Sequence, residues 1–219
     1  EFAVIFDMDG VLIDSVKLNE MAFNHVMKPH GISLDPIKEK HRRFLRGSSL
    51  RDVLQLVEEH HGIKFDIKEF SQKAGEFAFE ILKRDNAQAD PAVIKLLTDL
   101  KNSDIPRAVG SASQRWRIEQ MLKFLKLYDL FDTFCGAEDA ERHKPHPDVY
   151  LRVAEKLNMP TSKCIVIEDS PTGVEAAHNA GMKVIGYDAF NDDDVVLDHA
   201  DLVINNFSEL TPEKIASLL

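Results

Sequence analysis

Asp7 and Asp9 stand two residues apart where an apolar run gives way to a glycine, in Val4-Ile5-Phe6-Asp7-Met8-Asp9-Gly10-Val11-Leu12-Ile13-Asp14-Ser15. Two carboxylates so placed can hold a hard divalent cation through oxygen while one of them attacks phosphorus. The other can protonate the leaving oxygen and then activate water. Taken by its spacing alone, the pair is better explained as a solvated turn.

Three further stretches carry chemistry. Val109-Gly110-Ser111-Ala112-Ser113 offers a hydroxyl and backbone N–H groups ahead of a helix, which suits a phosphate oxyanion. A helix N-cap by Ser111 or Ser113 would explain the same residues. His143-Lys144-Pro145-His146-Pro147-Asp148 sets Lys144, a fixed cation, on a stiff Pro-flanked loop. A surface lysine before a helix would look alike. His143 and His146 lack a third ligand at zinc-like spacing and read as surface or supporting residues. Last, Glu168 and Asp169 follow the buried-looking run Ile165-Val166-Ile167 and precede Ser170-Pro171-Thr172-Gly173. They add oxygens for a metal. A helix N-terminus also favours acids, but that explains one acid more comfortably than two.

Apolar strands must position all four. β-rich runs at Phe2–Phe6, Arg107–Val109, Cys164–Ile167, Lys183–Tyr187 and Leu202–Ile204 are mostly near-continuously apolar, as expected of strands covered on both faces. Amphipathic helical patterns separate the later ones, at Pro91–Lys101, Gln114–Leu125 and Pro147–Leu157. This alternation predicts a doubly wound parallel α/β sheet. Ligands of such sheets bind beyond the carboxyl ends of the strands, so the four stretches should converge. Each is ambiguous alone; their order and placement are not.

Between Ser15 and Asn86 the alternation stops. The segment is rich in helix formers and is punctuated by Pro29, Gly31, Pro36, Gly47 and Gly62. It reads as a helical insertion with hinges near Asp14–Val16 and Asp85–Asp90. The expected organisation is a core of residues 1–15 and 86–219 around a cap of residues 16–85. The Asp192–Asp194 run reads as a solvated turn.

Composition narrows the function classes. The chain has 219 residues, 44% hydrophobic and 29% charged, as in an ordinary globular protein. A net charge of −10 argues against a general nucleic-acid binder, yet leaves room for a small phosphorylated metabolite met by local donors. No apolar run approaches the ~20 residues that span a bilayer. No signal peptide opens the chain, and Glu1 in place of an initiator Met leaves upstream residues expected to be trimmed or absent. Two cysteines, Cys135 and Cys164, without a CxxC pattern point to a reduced compartment. A monomeric cytoplasmic protein without membrane or nucleic-acid partners is expected.

The DxDG motif at Asp7–Gly10, the strand-end Ser111, the Lys144-Pro145 loop and Glu168-Asp169-Ser170 together resemble the haloacid-dehalogenase superfamily. The resemblance runs from Phe2 to about Leu210. The insertion looks like the C1 cap of the subgroup containing β-phosphoglucomutases and sugar-phosphate phosphatases. It implies Asp7 as nucleophile and Asp9 as general acid–base. Asp7, the Asp9 backbone carbonyl and Asp169 would bind Mg²⁺, with Glu168 an inner or outer ligand. Ser111, Ala112 and Lys144 would hold the phosphoryl group.

Within the superfamily, Asp9 points to phosphate esters, because dehalogenases and phosphonatases lack an acid there. Where β-phosphoglucomutases carry a cap-hinge His, this chain has Asn19, and where they carry a cap-loop Arg it has Leu50, with Arg46 and Arg51 close by. Lys73 matches the mutase cap Lys. Arg115 replaces a phosphate-binding Asn and could still meet an anion. Ordinary exposed helix charge explains Arg46, Arg51 and Lys73 at least as well. Two departures against one match favour a phosphatase over an intramolecular phosphomutase. A phosphoacceptor signalling domain would not need the ~70-residue insertion or the second Asp. A silent binding protein would not need the intact set of Asp7, Asp9, Ser111, Lys144 and Asp169.

Overall fold

The computed structural model describes residues 1–34, 50–190 and 196–219. Pro36, Arg46, Gly47 and the Asp192–Asp194 turn lie outside these residues. The chain divides into two units, Glu1–Ile13 with Gln88–Leu219, and Asp14–Ala87.

The first unit is built on a six-stranded, all-parallel sheet: β1 (Ala3–Phe6), β2 (Arg107–Gly110), β3 (Thr133–Cys135), β4 (Cys164–Glu168), β5 (Lys183–Tyr187) and β6 (Leu202–Ile204), in the order β3-β2-β1-β4-β5-β6. Every residue of β1, β2 and β4 is buried, which explains why these strands are apolar apart from Arg107 and Glu168 at their ends. Their period of two still sorts them between faces. Ala3 and Ile5 join Ala108, Val166 and Val184 in one cluster, while Phe6 points the other way, edge-on to Phe131 and stacked on Phe207. Fully burying a side chain of this size is worth about 1.5–3 kcal/mol.

β3 has no counterpart in the sequence reading. It is three residues long, lies at the sheet edge and is only partly buried, so Thr133-Phe134-Cys135 carries no continuous apolar signal. Sequence order also reverses around β1, whose neighbours are β2 and β4, and this is where an open α/β sheet leaves a crevice.

Chain order gives the helices α1 (Val16–Met27), α2 (Leu50–His61) and α3 (Ile67–Arg84) in the second unit. The first unit holds α4 (Pro91–Asn102), α5 (Arg115–Phe124), α6 (Asp148–Lys156), α7 (Pro171–Asn179) and α8 (Pro212–Ala216). Several start as their residues dictate. Asp66 accepts the Glu69 N–H at 2.8 Å, Asp90 accepts the Ala92 N–H at 2.8 Å ahead of Pro91, and Ser170 caps α7 through the Gly173 N–H at 3.1 Å. The helical unit is held by α1 against α3, with Phe23 edge-on to Phe70 and the His25 ring stacked on Phe77 at 3.7 Å. No helix among the described residues is long and apolar enough to cross a membrane.

Candidate active site

Asp7 leaves β1 and is 5% exposed, a low value for a carboxylate. Its N–H donates to the Ile167 carbonyl at 2.9 Å, so β1 and β4 stay paired up to the first acid. The chain then turns tightly, with the Gly10 N–H on the Ile13 carbonyl at 2.8 Å and the Leu12 N–H on the Met8 carbonyl at 3.0 Å. Gly10 sits at φ +83°, and a Cβ there would fall 1.9 Å from Asp169 Oδ2. Glycine is therefore required twice over, for the turn and for the approach of the β4 acid.

Lys144 arrives on the loop before α6 and ties the acids together. Its ammonium donates to Asp7 Oδ1 at 2.7 Å and to Glu168 Oε1 at 2.5 Å, lies 3.4 Å from the Gly110 carbonyl, and rests over the Tyr150 ring. Backbone contacts hold the loop on both sides. Arg142 grips Asp148 through its N–H and its guanidinium, and the Asn179 amide donates to the Pro145 carbonyl at 3.0 Å.

Glu168 is fully buried and takes five donors. Lys144 and the Tyr150 hydroxyl (2.7 Å) reach Oε1, while the Asp169 N–H, the Ser170 N–H and the Ser170 hydroxyl reach Oε2. Such complete pairing is what allows a buried charge to persist.

The electrostatics follow. Burial pushes the Asp7 carboxyl up to about 7, with repulsion from Glu168 and Asp9 outweighing part of the relief from Lys144. Burial and the neighbouring Glu168 and Asp7 raise Asp169 well above the carboxylate range. Burial also acts against Glu168, but Lys144, Tyr150 and the Ser170 N–H hold it below its ordinary value. Burial would discharge Lys144; Asp7 and Glu168 override that and keep it protonated. Glu168 is thus the secured anion, and one ammonium bonds both it and Asp7.

One carboxylate oxygen each from Asp7, Glu168 and Asp169 lie within 4.8 Å of one another. Mg²⁺ takes oxygen ligands at about 2.0–2.1 Å, and these three carboxylates could supply them. An all-oxygen set with surplus negative charge fits a hard cation. His143 and His146 are in no metal-ligating group among the described residues.

At the β2 end, Ser111 is buried and its hydroxyl accepts the Ser113 N–H at 3.1 Å, while Ala112 is exposed beside it. Ser113 does not cap α5. The cap position is Gln114, without a side-chain bond, and the Ser113 hydroxyl donates instead to Asp9 Oδ2 at 2.6 Å. Arg117 Nη2 reaches Asp9 Oδ1 at 3.2 Å. Arg115 is half exposed, 3.5 Å from Asp139 and over the Phe134 ring.

The acids, Ser111 and Lys144 therefore meet at the carboxyl ends of the central strands β1, β2 and β4. Three participants were not singled out by spacing: Tyr150, Arg117 and Ser113 as an Asp9 partner. A tyrosine within the buried stripe of α6 is a usable signal for the first, because a buried hydroxyl needs a partner. Arg117 gave no comparable signal.

In the helical unit, Asn19 lies half-buried on α1. Lys73 is exposed and bonded to Glu69 at 2.7 Å, one turn back on α3. It lines a groove of about 540 Å³ with His25, Phe65, Glu69, Glu76 and Phe77. Leu50 opens α2 and Arg51 is exposed on it.

A parallel sheet in this strand order, with acids at the carboxyl ends of β1 and β4, is a Rossmann-like α/β core that carries its site at the switch in strand order. The chain belongs to the haloacid dehalogenase-like hydrolase family, whose model matches residues 4–187. It is 31% identical over 219 residues to a probable pseudouridine-5'-phosphatase of Drosophila melanogaster, covering 96% of this chain and 91% of that one. It is 33% identical over 186 residues to a phosphorylated carbohydrates phosphatase of Thermotoga maritima, covering 84% and 83%. The β-phosphoglucomutase structure from Clostridium difficile superposes with a TM-score of 0.83 at 27% identity, over 99% of this chain and 96% of that one.

Proposed function

We propose that this protein is a Mg²⁺-dependent phosphatase of a small phosphorylated metabolite, a sugar phosphate foremost, working through a phospho-Asp7 intermediate. The observation that carries the reading is the Lys144 ammonium bridging Asp7 and Glu168 beside Asp169. The phosphatase names of two relatives support the ester class, and Asp9 supplies the acid that an ester oxygen requires.

Asp7, Asp169 and the Asp9 backbone carbonyl would hold the metal, with Glu168 as an inner or outer ligand. A divalent cation bound there supplies charge stabilisation to the phosphoryl oxygens and keeps the acids ionised. Lys144 and the Ser111 hydroxyl, with the Ala112 N–H, hold the remaining phosphoryl oxygens. An Asp7 oxygen forms a bond to phosphorus as the ester P–O bond breaks, and Asp9 gives its proton to the leaving oxygen. Asp9 then takes a proton from water, whose oxygen attacks phosphorus. Breakage of the acyl phosphate P–O bond returns the Asp7 carboxylate and frees phosphate. The protein's contribution is positioning and charge, which phosphoryl transfer chiefly needs.

The helical unit would serve as the cap that selects the substrate, with Asn19, Arg46 and Lys73 as candidates. The alternative, an intramolecular phosphomutase, would share Lys73, but its cap His and cap-loop Arg are replaced in this chain by Asn19 and Leu50. The reading includes a cytoplasmic monomer, in line with two buried free thiols, and no nucleic-acid or membrane partner, in line with the net charge of −10.

A panel of phosphorylated metabolites, assayed for inorganic phosphate with Mg²⁺ and then with a chelator, tests this. Phosphate release that stops in chelator is expected, with a hexose 1-phosphate giving free sugar and no 6-phosphate. Absence of release from every monoester in Mg²⁺ overturns the phosphatase reading, and unchanged release in chelator overturns the metal.

A further inference from the structure

An acid–base carboxyl must present a particular oxygen to the leaving group, and a side chain with two rotatable bonds needs outside contacts to do so. In the α/β unit both oxygens of Asp9 are gripped. The Ser113 hydroxyl donates to Oδ2 at 2.6 Å and Arg117 Nη2 donates to Oδ1 at 3.2 Å. Ser113 comes from the β2-to-α5 connection and Arg117 from α5 itself. Arg117 lies in the first turn of α5 with its side chain only 15% exposed, so its guanidinium is shielded more than a surface arginine's.

That connection is itself clamped. The Ser113 N–H donates to Ser111 Oγ at 3.1 Å, the Ala137 N–H donates to the Ser113 carbonyl at 2.9 Å, and the Arg115 N–H donates to Glu138 Oε2 at 2.9 Å. Gly136, just past β3, makes the clamp possible, because a Cβ there would stand 2.6 Å from the Ser113 carbonyl. A scaffold this closely fitted is more than an α5 start requires, since α5 begins without a side-chain cap. Its hydroxyl and its arginine converge on one carboxylate.

We propose that Arg117 is a positioning residue for proton transfer: with Ser113 it fixes the Asp9 carboxyl in the orientation that serves the ester's leaving oxygen. This rests on the phosphatase reading, in which Asp9 is the acid–base. Arg117 touches neither Asp7 nor the substrate in this scheme. Its effect is transmitted through Asp9 and scales with how much protonation the leaving group needs.

The test is a leaving-group series, from p-nitrophenyl phosphate through phenyl phosphate to a hexose phosphate. It is measured as kcat/KM in Mg²⁺ for wild type, Arg117→Met and Arg117→Lys, with thermal melts of each. kcat/KM reports only the steps through phosphoryl transfer to Asp7, so it isolates leaving-group protonation from the later hydrolysis. Methionine keeps the apolar stem and removes the guanidinium. It should cost ~10–100-fold on the hexose phosphate, part of the ~10²–10⁴ that acid–base help supplies, and under ~3-fold on p-nitrophenyl phosphate, which leaves without a proton. Lysine should recover most of the hexose phosphate loss, because it restores a cation toward Asp9. Equal losses along the series, or no loss, would overturn the proposal and leave the pair as a bond between α5 and the Asp7–Ile13 turn. Should Arg117→Met melt too low to assay, the slope of the series for Arg117→Gln, which keeps a polar side chain but removes the cation, decides in the same way. Failure of wild type on every ester would instead sink the phosphatase reading.

Discussion

The two units treat charge in opposite ways. In the α/β unit, Lys144 is 6% exposed and shared by two buried acids. In the helical unit, Lys73 is 60% exposed and paired with Glu69 one turn away on the same helix. The first arrangement is costly to build and highly determined, because buried charges must be matched donor by donor. The second costs little and stabilises little. The buried charges lie where geometry is enforced, and the helical unit keeps this pair of charges on a solvated surface.

Substitutions can break or sharpen that contrast. The largest effect should come from Asp7→Asn, which removes the attacking oxygen's charge while nearly preserving shape. Turnover of any phosphate monoester should drop at least ~10³-fold with the circular dichroism spectrum unchanged. Turnover close to wild type would require another nucleophile.

Next is Asp9→Asn. The amide retains the backbone carbonyl but neither delivers nor collects a proton, so hexose phosphate turnover should fall ~10²–10⁴-fold. An activated aryl phosphate should still phosphorylate Asp7, whose adduct then accumulates for want of an activated water. Intact-mass measurement after rapid quench looks for it. Equal slowing of both esters with no adduct would assign Asp9 a role in the turn alone.

Lys144→Met should cost both activity and stability, since it leaves the Asp7–Glu168–Asp169 cluster without its ammonium. Removing one partner from a buried ion pair typically destabilises by ~3–5 kcal/mol, readable in urea unfolding. Millimolar Mg²⁺ should return part of that stability. A variant as stable as wild type without the metal would mean that the acids are not charged together.

The smallest effect should be Lys73→Ala. An exposed i, i+4 pair contributes weakly, so Tm should move by no more than ~2 °C. A rise in KM at unchanged Tm would then report substrate contact from the helical unit. A large fall in Tm would erase the contrast between the units.

Much of this was readable in the residues. Parallel strands covered on both faces are mostly apolar, so Phe2–Phe6 and Cys164–Ile167 announced themselves, and the acids that follow them were conspicuous. The edge strand Thr133–Cys135 was not readable, because a short, half-covered strand has no reason to be apolar throughout. Ser113 carried a misleading local signal. A serine before a helix usually caps it, and here tertiary geometry offered its hydroxyl a carboxylate instead.

The sequence by itself determined which groups stand at the strand ends and in what order: two acids after β1, a serine after β2, a lysine before α6, and two acids closing and following β4. Local periodicity and spacing suffice for that. Only the tertiary structure decided who pairs with whom. Lys144 bonds Asp7 across 137 residues, and Ser113 and Arg117 reach Asp9 across 104 and 108. Contacts of that separation depend on how β1 is flanked in the sheet, and on a glycine at 10 that lets Asp169 approach. A one-dimensional pattern records a side chain's chemistry, while its charge state and partners are set by the buried neighbours that the fold delivers.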